Sequence, residues 1–125
     1  MIIDILLYVG AGVITLWGIA HIVPIKSVVN GFGQISQDNR RIITMEWVAE
    51  GLALCFIGLL VLFVTLWGGS QNSVSIIVYR TSAAMLVVMA ILTASTGART
   101  SILPIKICPV VKIAVAILFI LGTVL

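Results

Sequence analysis

The feature that most restricts this chain is a succession of four long apolar runs, at about 3–23, 42–67, 74–96 and 107–125, with little between them. Each supplies the ~20 residues that an α-helix needs to cross ~30 Å of hydrocarbon. The predicted fold is therefore all-α: a polytopic membrane protein, one four-transmembrane-helix bundle, with residues 1–125 as a single domain. Of its 125 residues, 62% are hydrophobic and only 9% charged, which leaves no soluble domain to carry catalysis or bind nucleic acid.

The net charge of +3 reads as an orientation signal before it reads as a recognition surface, because the cations lie at the ends of the runs. Lys26, Arg40 and Arg41 fall in or beside the first loop, Arg99 and Lys106 in the third, and Lys112 just beyond it; the second loop, GGSQNS, has none. The positive-inside rule then predicts loops one and three in the cytoplasm and both termini outside. The start, MIIDILLYVG, shows neither a basic n-region nor a cleavage site, so the first helix is expected to be retained. Two cysteines far apart, Cys55 and Cys108, make neither a disulfide framework nor a zinc site and are read as small buried residues.

Against this apolar background the second run carries two carboxylates, Glu46 and Glu50, four residues apart and so on one helix face with Asn39, Ile43, Ala53 and Ile57. If Arg40 and Arg41 mark the membrane surface, Glu46 lies ~8 Å deep and Glu50 ~14 Å deep, near mid-membrane. An ionisable group at such depth must be paired or wetted, which makes the two a candidate site. Small-residue pairs Ala49/Ala53 and Gly51/Cys55 suit this helix to the bundle interior, and both glutamates are expected to face protein. A purely structural reading, in which they pair with basic residues and fix helix registry, stands beside the functional one.

The other runs supply partners. The first, rich in Gly10, Ala11, Gly12, Gly18 and Ala20, brings Trp17 and His21 toward its inner end. His21 serves there either as an interfacial residue or as a proton-exchanging partner of Glu46 at similar depth. Loop one, IKSVVNGFGQISQ, alternates apolar residues with glycines and reads as a short interfacial or re-entrant segment, after which Ser36 or Asp38 caps the second helix. In the third run Arg80 is expected to pair structurally with Asp4 near the outer surface. That run ends in a hydroxyl-rich stretch, Thr93 to Ser101 with Arg99, that either bonds its own helix carbonyls or lines a wet cavity. Lys112, about one turn into the fourth span, either snorkels outward or turns its ammonium inward toward a glutamate. From Ile113 onward that span is almost wholly apolar, a wall against lipid or another subunit.

The stretches WGIAHIVPIKSVVNGFG and MEWVAEGLALCFIGLLV resemble the DoxX-like family of small four-helix bacterial membrane proteins, as does, more loosely, the polar end of the third run. The resemblance covers some two thirds of the chain. It implies a compact bundle in the bacterial inner (plasma) membrane, often linked to redox or sulfur metabolism, and it transfers no catalytic residue. A thiol-redox role lacks its thiol pair here.

The leading functional reading is non-enzymatic: an intramembrane polar cavity that binds or transports a small molecule or lipid. Glu46 and Glu50 form its charged centre, with His21, Arg99, Trp17 and Lys112 as ligand-binding or proton-relay candidates. A homo-oligomer or a partner membrane subunit is expected to complete any path. The alternative is an accessory or assembly subunit of a membrane oxidoreductase complex. A membrane enzyme using a Glu/His acid–base pair ranks last. No cofactor or metal is expected, because one histidine and two glutamates are a thin ligand set and a haem usually needs two axial ligands.

Overall fold

A computed structural model describes residues 2–125. Helix α1 spans Ile2–Ile22, a short α2 Ile25–Asn30, α3 Gln37–Phe63, α4 Ser73–Ser95 and α5 Leu103–Val124. A π-helical turn, Val64–Gly68, extends α3, and a 3-10 turn, Gly97–Arg99, follows α4. No strand occurs among the described residues. Four of the helices are long and apolar enough to cross a membrane, in agreement with the four runs. This is an all-α, multi-pass membrane protein.

Local sequence explains the helix ends. The Ser36 hydroxyl accepts from the Asn39 N–H at 3.1 Å and caps α3, while Asn72 accepts from the Ser75 N–H at 3.0 Å and caps α4. Between α3 and α4 the chain reverses at Gly69, whose φ of 76° lies in the region that favours glycine. The third loop is shorter than expected: α5 begins at Leu103, so Pro109 sits inside the helix. Proline is tolerated there because neighbouring groups in a membrane bundle can re-satisfy the freed backbone carbonyl. Lys112 consequently lies about two and a half turns into α5, not one.

The four spans form a ring in the order α1, α3, α4, α5, with α1 packed along α3 and α5, and α4 along α5. Although consecutive in the chain, α3 and α4 make the loosest of the four neighbouring seams. Glycines set the tight α1–α3 seam. A methyl on Gly18 would stand 2.7 Å from the Gly51 carbonyl, and one on Gly58 2.7 Å from that of Ala11. On the opposite flank of α1, Gly10 lies under Phe119 and Gly122 of α5 under Leu7. Of the small residues singled out in sequence, Gly18, Gly51 and Cys55 meet at this seam, whereas Gly12 and Ala49 face outward. The core is apolar and drawn from all four spans, among them Leu7, Ile14, Leu54, Tyr79, Leu86 and Phe119.

Candidate functional site

At the end of the bundle where α2 lies, one carboxylate joins all four spans. Glu50 of α3 accepts from the Lys112 ammonium of α5 at 2.6 Å through Oε1, and its Oε2 stands 3.0 Å from Nε2 of His21 on α1. Lys112 donates in addition to the Thr93 hydroxyl of α4 at 2.8 Å, and Thr93 donates on to the Met89 carbonyl at 2.9 Å. Lys112 therefore turns inward to the glutamate; it is wholly buried, and its depth within α5 leaves no short route outward. These two contacts on Glu50 are the only ion pairs among the described residues.

His21 is held from two sides. Its ring stacks on that of Trp47 with centroids 4.2 Å apart and planes within 12°, and the Trp47 indole N–H donates to the His21 carbonyl at 2.5 Å. The ring is turned so that Nε2, though close to Glu50, makes no aligned hydrogen bond. Trp47 was not singled out from sequence. The available signal was an aromatic one turn from a charged residue near a membrane boundary, where tryptophans gather.

His21 occupies the last turn of α1, and Glu50 is level with it. With its π-helical turn α3 runs 32 residues, ~48 Å, so its first turns, with Arg40 and Arg41, stand beyond the end of α1. This separates the two glutamates. Glu46, one turn further out, passes the end of α1 and is exposed, so His21 meets Glu50 and not Glu46.

The remaining sequence candidates divide. Trp17 donates its indole N–H to the Cys108 sulfur at 3.2 Å, tying α1 to α5 without touching the glutamate. Cys108 is buried and Cys55 half-buried, both as free thiols. Arg99 is exposed in the 3-10 turn and has no ion-pair partner among the described residues. Thr96 and Ser95 bond carbonyls of their own helix, the local reading of that polar stretch. The Asp4–Arg80 pair does not form: α1 and α4 stand on opposite corners of the ring, and Arg80 instead reaches Thr123 of α5 at 3.4 Å. No group of three or more metal-ligating side chains occurs among the described residues. No protein family, curated protein or solved structure compared with the chain matches it.

Proposed function

We propose that this is a small protein of a bacterial inner membrane, termini outside, whose Glu50 centre binds a small cationic or amine-bearing solute, or a lipid headgroup of that kind, at the cytoplasmic boundary. The observation that carries this reading is an asymmetry of exposure. The Glu50 side chain keeps 30% of its surface accessible, while its basic partners His21 and Lys112 keep 9% and 0%. The glutamate side chain thus stays partly accessible while its basic partners are buried behind protein. The clustering of Lys and Arg at this end supports the orientation, and the resemblance to DoxX-like proteins supports the inner membrane.

Chemically, Oε1 is committed to Lys112 and Oε2 is the oxygen in play. Nε2 of His21 stands 3.0 Å from Oε2 without an aligned hydrogen bond, which leaves Oε2 able to accept from an incoming ammonium. A second reading, an assembly subunit of a membrane oxidoreductase, draws support from the way Glu50, His21, Lys112 and Thr93 tie four helices into one register.

Calorimetric titration of dodecylammonium into the protein in neutral micelles tests the first reading. The wild type should bind saturably. The E50Q/K112M variant, which removes both charges together and so leaves neither buried alone, should not bind. Equal binding by both proteins, or none by the wild type, refutes it, and co-isolation of a partner that E50Q/K112M loses would establish the second.

A further inference from the structure

Away from the Glu50 centre, a concavity lies between α2 and the first turns of α3. It has a volume of about 640 Å³, within the usual range for ligand pockets. Three of the chain's seven Lys and Arg residues, Lys26, Arg40 and Arg41, line it, and no carboxylate does. None of the three is in an ion pair among the described residues. Asp38 and Glu46 lie nearby in sequence but outside the lining.

The cavity is also built, beyond carrying charge. Pro24 ends the turn out of α1 and starts α2, whose Val29 is buried, so that the short helix lies against α3. Arg40 donates through Nη2 to the Asn30 side-chain oxygen at 2.8 Å, which ties the end of α2 to α3 and holds the guanidinium in the wall, with no other hydrogen bond from it among the described residues. The Thr44 hydroxyl donates to the Arg40 carbonyl at 2.8 Å and steadies the same turn. Ile25, Val29 and Met45 supply the apolar part of the lining, and Gln37 a further polar side chain. Cations beside apolar side chains, at the end of a transmembrane bundle, match a ligand that is anionic at its head and greasy below it.

We infer that this cavity is a binding site for one anionic phospholipid of the adjoining leaflet. The phosphate engages Arg40 and Arg41 through their planar forks, which match phosphate oxygens in pairs, with Lys26 as a third point charge. The first acyl carbons lie on Ile25, Val29 and Met45. A basic pocket at a membrane surface is a recognised mode of anionic headgroup binding. The inference is independent of the Glu50 reading, because no residue of that centre lines the cavity.

Native mass spectrometry of the full chain released from nanodiscs of phosphatidylethanolamine with a minor share of phosphatidylglycerol tests it. Wild type should carry phosphatidylglycerol well above that share. Each cation lining the cavity should contribute about fivefold, so K26Q/R40Q/R41Q should lower the preference by about a hundredfold. R99Q/K106Q removes two cations from the same end but outside the cavity and should leave the preference intact. N30A, which keeps all charge and hence orientation, should weaken it severalfold by releasing Arg40. An unchanged preference in the triple variant or in N30A, or an equal loss in R99Q/K106Q, overturns the site. Displacement of the lipid by excess inorganic phosphate would overturn it in favour of a soluble anion.

Discussion

The two ends of this bundle solve the same problem differently. At the α2 end a charged centre couples four helices through Glu50, His21, Lys112 and Thr93. At the opposite end the buried polar groups are neutral: the Thr65 and Tyr79 hydroxyls bond each other at 2.8 Å, and Thr65 bonds its own helix at the Val61 carbonyl. Asn72 closes the reversal by donating to Ser75 and to the carbonyls of Gly68 and Gly69. Arg80, the one Lys or Arg at that end among the described residues, donates to a hydroxyl on the neighbouring helix. One end thus depends on a single indivisible network and the other on contacts between neighbours, and the charged end is where substitution should be felt most.

Four substitutions sharpen the contrast. E50Q leaves the Lys112 ammonium buried without its counter-charge and should cost about 3 kcal/mol of folding stability in micelles, read by denaturant titration. Next comes G18A, in the α1–α3 seam one turn from His21. Its methyl meets the Gly51 carbonyl and the Cys55 sulfur, each at 2.7 Å, so a loss of about 1–3 kcal/mol by the same titration accompanies a widened seam. At the neutral end Y79F removes one hydroxyl partner, and membrane hydrogen bonds of this kind average about 0.6 kcal/mol. Smallest is E46Q, on an exposed side chain, expected within about 0.5 kcal/mol of wild type. A Y79F loss as large as that of E50Q would erase the difference between the ends.

Much of the architecture was legible. Apolar run length yields the spans to within a few residues, because the bilayer leaves the backbone few alternatives. Glu50 was also visible, as a carboxylate where hydrocarbon was expected. What the sequence leaves open is relative depth. The arginines beside α3 suggest the membrane surface, but α3 outruns α1, and only the packing of His21 against Glu50 shows by how much. That offset separates Glu46 from Glu50 although they share a helix face. The fate of Lys112 depends likewise on where α5 begins, and Pro109 hid its first turn. Arg80 and Asp4 were matched by depth alone, and depth does not say which helices are diagonal.

The most direct test of the account is a double-mutant cycle on Glu50 and Lys112, comparing the unfolding of wild type, E50Q, K112M and E50Q/K112M in micelles. If the carboxylate is what makes a buried lysine tolerable, the double variant should be much more stable than the sum of the single losses allows, with a coupling of about 2 kcal/mol or more. Losses that simply add would mean that the two side chains do not depend on each other, and the four-helix polar centre would not exist as described.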